Sequence, residues 1–282
     1  MQQQYSLFDL PIDFICFGSG SSGNCYYLRF GDFGLLIDMG VGMRRFLKDF
    51  NAYGCNLSQI KAAIITHDHL DHVRAAGRLS TKNHWPVYAT EEVHAGIQRN
   101  PVIHNKINDE NRRIIRHGEP FQTGPFHIEP FKVPHDSSDN TGYFITCSGI
   151  TFCLVTDAGA PTPEICHYVS KAQYLVIESN YDPDMLECGP YPLPLKRRIK
   201  GGLGHLSNPQ CANILSQHVN PELLEGLWLC HLSQENNHPE KAESTVSEAL
   251  AALHLRCKPL PLRRIQPTGP FLLRRSGNDM PC

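Results

Sequence analysis

Four side chains that can bind a metal ion fall within six residues of this sequence, directly after an apolar run. They are His67, His69, Asp71 and His72, in the pattern H-x-H-x-D-H. Residues two positions apart on an extended loop can converge on one ion, while the adjacent Asp-His pair turns to face a second. A single histidine is usually an ordinary surface or core residue, but this density of imidazole and carboxylate groups predicts a site for two metal ions.

Three further polar residues follow apolar runs at widely separated points of the chain. His135 comes after FKVP, Asp157 after FCLVT and His231 after LWLC. Open sheets gather active-site groups at the ends of their strands, so we expect these side chains beside the first four. Each of them alone is more often structural, but together with the H-x-H-x-D-H pattern they are predicted to complete the ligand set. Cys230 precedes a ligand, and the alternation of side chains along a strand turns it into the core.

Short apolar, β-branched and aromatic runs predict the strands that position these groups. Strands are predicted at residues 14–17, 25–30, 33–39, 62–67, 87–89, 126–133, 142–147, 150–156, 174–178 and 226–230. Helices are predicted at 41–50, 73–80, from 91, from 163, at 208–218 with Asn208 as the N-cap, and at 239–253. The segment 188–204, rich in glycine and proline, is predicted to be a surface loop. Two strand-rich halves with interspersed helices are therefore expected.

The composition indicates a soluble globular protein. With 282 residues, of which 41% are hydrophobic, the chain can bury a substantial core, and we take residues 1–282 as one domain. The formal net charge of -2 gives no whole-molecule reason to bind a polyanion, so a nucleic acid must be held by a local patch. The N-terminal residues lack the pattern of a secretory signal and no run of about 18 apolar residues exists, so a cytoplasmic protein without a membrane partner is expected.

Two other patterns suggest sites that the surrounding sequence argues against. The cysteines, 11 in number and without any C-x-x-C pair, indicate reduced thiols rather than a disulfide framework or a zinc ribbon. The segment 18–23 matches G-x-G-x-x-G, with Asp38 at the distance of a ribose-binding acid. A dinucleotide site needs a helix after the glycines, but a strand pattern follows here, so we predict a tight loop and no nucleotide cofactor.

The order and context of the candidate ligands resemble the metallo-β-lactamase superfamily from about residue 14 to residue 250. Asp38, at the end of the run FGLLIDM, matches the first aspartate typical of that fold. The resemblance implies an α/β fold, a four-layered αββα sandwich, with two divalent metal ions. It implies one ion on His67, His69 and His135, another on Asp71, His72 and His231, a bridge by Asp157, and orientation of the site by Asp38. Zinc is the first choice for these nitrogen and oxygen donors, and manganese and iron are alternatives.

Three local patterns resemble one branch of that superfamily, the YycJ-like (WalJ/VicX) branch related to ribonuclease Z and ribonuclease J. They are SGSSGNCYY near the start, GHLSN at 204–208 and HLSQENN at 231–237. The span from Asp157 to His231 is too short for the β-CASP insertion of the ribonuclease J group. The resemblance implies a metal-dependent phosphodiesterase, namely an exonuclease on DNA or RNA, in which a hydroxide shared by two ions attacks the substrate.

The resemblance also implies roles for residues beyond the metal ligands. Asp71 and His205 are expected to be catalytic, with His205 stabilising the leaving group as an acid or a phosphate ligand. Ser233 and Asn236 are expected to hold a phosphate beside the second metal. A structural alternative is open for each of the last three, since His205 can cap or pack before the helix at 208 and the other two can order a turn.

Two basic runs are candidates for guiding a nucleic-acid backbone, although such runs are usually solvated faces. They are Lys196-Arg197-Arg198 with Lys200, and Arg112-Arg113 with Arg116.

Two other functions use the same ligands. One is a small-molecule hydrolase, such as a glyoxalase II-like thioesterase or a cyclic phosphodiesterase, which a panel of nitrophenyl phosphodiesters and thioesters distinguishes. The other is a regulatory module that keeps the metals for structure alone, although structural sites need no open position. The sequence leaves open the metal, DNA against RNA, the direction of digestion and the oligomeric state.

Overall fold

Two seven-stranded β-sheets make up the centre of the computed structural model, which describes residues 10–275. In order across the first sheet, the strands are β14 (Thr268–Leu273), β1 (Ile12–Gly18), β2 (Cys25–Phe30), β3 (Phe33–Ile37), β4 (Ile60–Ile64), β5 (Val87–Ala89) and β6 (Arg112–Ile114). In the second sheet they are β13 (Pro259–Pro261), β12 (Gly226–Cys230), β11 (Tyr174–Glu178), β10 (Ile150–Val155), β9 (Thr141–Cys147), β8 (Phe126–Lys132) and β7 (Phe121–Thr123). Most of the N-terminal segment considered for a secretory signal lies outside the described residues.

Helices connect the strands, and several begin at a side chain that accepts a backbone N–H, as helix starts favour. They are α1 (Met43–Ala52), α2 (Leu70–Val73), α3 (Ala76–Asn83), α4 (Glu91–Arg99), α5 (Pro163–Val169), α6 (Pro183–Cys188), α7 (Leu193–Lys200), α8 (Asn208–His218) and α9 (Pro239–Leu250). Short 3-10 turns occupy Leu57–Gln59, Asp109–Asn111 and Ala251–Leu253. Across residues 10–275, every helix is too short or too polar to cross a lipid bilayer.

The sheets pack face to face because their strands alternate apolar side chains between two faces. On β1, Phe14 points between the sheets, where its ring lies 5.1 Å from that of Phe152 on β10. The next residue, Ile15, belongs to the outer cluster formed with Phe46 and Phe50 of α1. A corresponding cluster on the second sheet contains residues of α5, α8 and α9. The layers are therefore helix, sheet, sheet and helix, which confirms the predicted αββα sandwich.

Three predictions about the helices are wrong. The single helix at 73–80 is two helices, because the N–H of Ala75 bonds to the carbonyl of Met39 instead of continuing α2. Ser207 rather than Asn208 caps α8, since its hydroxyl accepts the N–H of Gln210. The segment 188–204 contains helix α7, because its prolines stand at the helix start, where a missing N–H costs little.

The sheet topology brings the candidate site to one edge. Strands β3 to β6 run parallel to each other, and so do β10 to β13. Side chains that follow the carboxyl ends of such strands are collected at the same edge of each sheet. The loop 19–24 also reaches this edge, and it leads into strand β2, as the sequence predicts, instead of into a helix.

Candidate metal centre

The candidate ligands, and Asp38 that orients them, follow strand ends from both sheets. Asp38 directly follows β3, His67 lies three residues after β4, Asp157 lies two residues after β10, and His231 directly follows β12. Asp38, Asp157 and His231 have positive φ angles of 60°, 53° and 54°. Residues other than glycine seldom adopt this conformation, and it concentrates at functional sites because the surrounding structure must hold it. Sharp backbone turns therefore aim these side chains towards one point.

The first triad, His67, His69 and His135, offers one ring nitrogen from each residue, all within 4.8 Å of one another. The ring centroid of His135 lies 5.0 Å from that of His67 and 5.0 Å from that of His69. Nδ1 of His67 lies 3.0 Å from the hydroxyl of Thr66, and Nδ1 of His135 lies 3.0 Å from the carbonyl oxygen of Gly204. These contacts fix both rings so that their Nε2 atoms face the centre of the triad.

The second triad, Asp71, His72 and His231, also brings three possible ligand atoms within 4.8 Å of one another. Oδ2 of Asp71 lies 3.6 Å from Nε2 of His231 and 3.8 Å from Nε2 of His72. The side-chain amide nitrogen of Asn24 lies 2.8 Å from Nε2 of His72, so the loop 19–24 touches this triad.

The carboxylate of Asp157 lies between the two triads. Its Oδ2 is 3.2 Å from Nε2 of His72, while its Oδ1 is 3.4 Å from Nε2 of His231 and 3.7 Å from Nε2 of His135. The carboxylate of Asp157 therefore lies within reach of both triads.

Three buried imidazole nitrogens in this cluster have no hydrogen-bond partner among residues 10–275. They are the Nε2 atoms of His67, His135 and His231. Buried polar atoms are nearly always partnered, so a group of three that converges on carboxylates calls for a ligand. Imidazole nitrogen and carboxylate oxygen together suit a divalent metal ion. The residues present therefore fit the divalent ions that the sequence predicts.

Asp38 supports the ligands from behind. Its oxygens accept the N–H of Thr66 at 2.8 Å and the hydroxyl of Thr66 at 2.9 Å, and Oδ2 lies 2.7 Å from Nδ1 of His72. The loop that follows it packs so closely on α2 that a Cβ at Gly40 would lie 1.5 Å from the carbonyl oxygen of Asp71. Only glycine fits at that position without moving the second triad.

The electrostatics of the cluster favour positive charge near the second triad. Burial by itself lowers the pKa of His231, but neighbouring carboxylates, Asp157 foremost, raise it to about 10. Burial acts in the same direction on His72, and Asp38 leads the carboxylates that raise its pKa well above the usual value. In the first triad, burial and then the neighbouring His72 hold the pKa of His67 well below its usual value. A cation that binds the second triad therefore displaces protons.

Residues 35–224, which contain all the candidate ligands except His231, match the family model described as a Beta-lactamase superfamily domain. The chain belongs to this superfamily.

Curated relatives extend the similarity over most of the chain. The chain is 30% identical over 241 residues to exodeoxyribonuclease YycJ of Bacillus anthracis. This alignment covers 86% of the chain and 90% of the relative. It is 31% identical over 237 residues to exodeoxyribonuclease WalJ of Streptococcus pneumoniae, with 84% and 87% covered. Among solved structures, the metallo-beta-lactamase fold protein YhfI from Bacillus subtilis superimposes with a TM-score of 0.68 at 17% identity, covering 92% of this chain and 99% of YhfI. This last likeness concerns the fold alone.

Glu178 is a buried residue of the candidate metal centre, and the sequence did not predict its role. Its Oε1 lies 2.8 Å from Nδ1 of His205 and 3.1 Å from Nδ1 of His231. Its Oε2 accepts the N–H of Ala158 at 2.8 Å and that of Leu206 at 3.2 Å. With both oxygens used in this way, Glu178 orients two imidazoles. Its place at the end of the apolar strand β11 is the signal that could have identified it.

His205 lies beside both triads. Its ring centroid is 5.1 Å from that of His135 and 5.2 Å from that of His231, and 15% of its side-chain surface is exposed. The capping alternative for this residue is wrong, because Ser207 caps α8. A catalytic role for His205 stays a prediction that its position allows.

Ser233 and Asn236 bond to each other in the turn after β12. The backbone N–H of Asn236 donates to the Ser233 hydroxyl at 3.2 Å, and Asn236 is buried. The N–H of Ser233 donates to the carbonyl of Asn180 at 2.8 Å. Asn180, which the sequence analysis missed, donates its side-chain N–H to the carbonyl of His231 at 2.7 Å. These contacts favour the turn-ordering alternative, and the phosphate role stays a prediction.

The basic run at 196–200 reaches the edge of the centre through one arginine. Both Nε and Nη2 of Arg198 contact the carboxylate of Asp136, and Nη2 lies 2.9 Å from Oδ1. Asp136 in turn lies 3.5 Å from Nε2 of His135. Arg197 is exposed and forms no ion pair within the described part of the chain.

The remaining members of the two basic runs have partners of their own. Lys196 and Lys200 contact Glu187, Arg112 contacts Asp109, Arg113 donates to the carbonyls of Glu110 and Arg112, and Arg116 contacts Glu119.

Proposed function

We propose that this protein is a metal-dependent exodeoxyribonuclease that binds two divalent ions in the two triads. The observation that carries the proposal is the convergence of both triads on Asp157, with three buried Nε2 atoms that have no partner in the described residues. The curated relatives are named exodeoxyribonucleases, which supports DNA rather than RNA as the substrate.

We assign the ions to the ligands as the resemblance implies. His67, His69 and His135 would hold one ion, Asp71, His72 and His231 would hold the other, and Asp157 would be available to both. Zinc is the first choice, with manganese and iron as alternatives, because these metals accept imidazole and carboxylate donors. Two such ions, when bound, lower the pKa of a water molecule and stabilise charge on the attacked phosphodiester.

Asp71 and His205 are proposed to move protons. The side chain of Asp71 is 21% exposed, against 3% for Asp157, so water can reach its carboxylate. Nδ1 of His205 is directed at Glu178, which leaves Nε2 for the departing oxygen of the substrate. A positioned acid typically contributes about 10²–10⁴-fold to the rate.

Ser233 and Asn236 are proposed to act together, with Asn236 fixing the hydroxyl of Ser233 and Ser233 contacting a phosphate. This follows because Ser233 is partly exposed whereas Asn236 is buried. We further propose that residues 1–282 form one domain without a β-CASP insertion, and that the enzyme acts in the cytoplasm, where its DNA substrate is present.

The proposal is tested with purified protein loaded with zinc or manganese. We expect up to two ions per chain by elemental analysis, and release of nucleotides from end-labelled single- or double-stranded DNA. Asp157→Asn should lower metal content and abolish DNA hydrolysis while circular dichroism shows a retained fold.

Negligible metal in reconstituted wild-type protein would contradict the metal centre. Turnover of thioesters or small cyclic diesters without any DNA hydrolysis would replace the exonuclease by a small-molecule hydrolase. RNA cleaved in preference to DNA would correct the substrate class alone.

A further inference from the structure

The segment 263–267 crosses from the second sheet to the first at the edge that holds the metal centre. It follows β13, whose Pro261 pairs with Leu229 of β12, two residues before His231. It precedes β14, whose Thr268 pairs with Cys16 of β1, three residues before Ser19. The crossing therefore lies over the ends of the two strands that lead to the second triad and to the loop 19–24.

The side chain of Arg264 rests on that loop. A Cβ at Gly20 would lie 3.0 Å from Cγ of Arg264, 3.3 Å from its Cδ and 3.4 Å from the carbonyl oxygen of Leu232. The arginine stem thus covers the point where the loop 19–24 meets the residue that follows His231.

This loop is itself bound to the second triad. The N–H of Gly20 donates to Oδ1 of Asn24 at 2.7 Å, and Nδ2 of Asn24 lies 2.8 Å from Nε2 of His72. The hydroxyl of Ser19 accepts the N–H of His231 at 2.8 Å. Arg264 is therefore separated from two candidate ligands by a single layer of loop residues.

Within residues 10–275, the guanidinium of Arg264 has no carboxylate or hydrogen-bond partner, although its side chain is partly buried. Its neighbour Arg263 donates to Oε1 of Gln266 at 2.6 Å, and Arg198, on the other side of the centre, is paired with Asp136. A guanidinium whose charge no described carboxylate neutralises is available to bind an anion from outside the chain. Arginine is well suited to phosphate because its planar fork donates two parallel hydrogen bonds.

We propose that Arg264 binds a backbone phosphate of the DNA strand on the side of the second triad. The inference rests on the proposed exonuclease function, and it concerns a residue beyond the span that matches the family model. The strand then passes from the scissile phosphate over the loop 19–24, with Arg264 holding a neighbouring phosphate.

The test is equilibrium binding of a fluorescent single-stranded oligonucleotide to metal-loaded protein, between about 50 and 200 mM salt. Arg264→Ala should weaken binding about 10-fold at the lower salt and reduce the slope of log affinity against log salt by about 1, because one phosphate contact is lost. Arg264→Lys should restore the slope but only part of the affinity, since an ammonium group cannot form the fork. Arg263→Ala is the matched control and should behave as the wild type.

Metal content and turnover of bis(p-nitrophenyl) phosphate should be retained in Arg264→Ala, because this small diester carries a single phosphate and so has no neighbouring phosphate for the arginine to bind. Equal binding by Arg264→Ala and Arg263→Ala would overturn the proposal, as would loss of metal and of small-substrate turnover, which would show that Arg264 only packs the loop. Wild-type protein that binds DNA without cleaving it would contradict the exonuclease function while the salt slope still decides the role of Arg264. Wild-type protein that does not bind DNA would overturn both.

Discussion

The two sheets supply the metal centre in different ways. The first sheet delivers four candidate ligands from the single segment 67–72, which one strand, one turn and α2 present together. The second sheet delivers His135, Asp157 and His231 from the ends of three strands that are far apart in sequence. A local segment builds one side of the centre, whereas tertiary packing builds the other.

The groups that support the two sides differ as well. On the first side, Asp38 contacts His72 and also Thr66, the residue just before the segment 67–72. On the second side, Glu178 contacts His231 and also His205, which is outside both triads. The comparison teaches that Asp38 contacts only residues at or beside the candidate ligands, while Glu178 also contacts His205, the residue that we propose acts on the substrate. Variants on the two sides should therefore fail in different assays.

The largest effect is expected for His205→Ala. It should keep both metals, lower turnover of DNA by about 10²–10⁴-fold, and lower turnover of bis(p-nitrophenyl) phosphate much less, because a nitrophenolate leaves without a proton. Elemental analysis and steady-state rates on both substrates are the measurements. Glu178→Gln should shift the two rates in the same unequal way, since Glu178 orients the His205 ring through Nδ1.

Equal losses on both substrates would assign His205 to phosphate binding rather than proton donation. A loss of metal in His205→Ala would remove the distinction between the two sides of the centre.

A smaller effect is expected for Asp38→Asn, and it should fall on metal affinity rather than on the choice between the two substrates. Residues that orient metal ligands typically contribute about 10–100-fold to metal affinity, so this variant should need more metal for half-maximal activity. Excess metal should restore most of the turnover on both substrates equally. Asp32→Asn, an exposed change in the turn between β2 and β3, is the control and should leave the metal titration unchanged.

Turnover by Asp38→Asn that metal does not restore would show that the first side of the centre also acts on the substrate.

The difference between the two sides also decides how much the sequence could predict. The segment 67–72 can be recognised as a metal site from the sequence alone, because its ligand spacing is visible without any knowledge of the fold. The other three ligands are harder to predict. Each of His135, Asp157 and His231 follows an apolar run, and the run becomes informative only because the segment 67–72 already indicates a metal site. The two strand-rich halves with interspersed helices follow from the apolar runs, whereas the αββα sandwich follows from the resemblance to the metallo-β-lactamase superfamily.

Residues that act through tertiary contacts could not be predicted in the same way. Glu178 ends an apolar strand as Asp157 does, but only the pairing of β11 with β12 brings it to His231. Asn24 and Asn180 are amides in loops, where hydrogen bonding to backbone is their usual role. The strands β6, β7, β13 and β14 are absent from the sequence prediction. β13 is short and contains two prolines, so only its pairing with β12 defines it.

The smallest effect is expected on the surface of the second side, at α7. Arg198 is compensated by Asp136, so we expect the exposed Arg197, which has no partner in residues 10–275, to carry the charge that DNA meets. Arg197→Ala should reduce the slope of log affinity against log salt by about 1 and weaken binding only a few-fold at about 200 mM salt, where screening is strong. Lys61→Ala removes the same charge at the start of β4, the opposite end of that strand from the ligands, and should leave the slope unchanged. If Arg197→Ala and Lys61→Ala give the same slope of log affinity against log salt, α7 is only a solvated face. The DNA strand is then guided by Arg264 and not by α7.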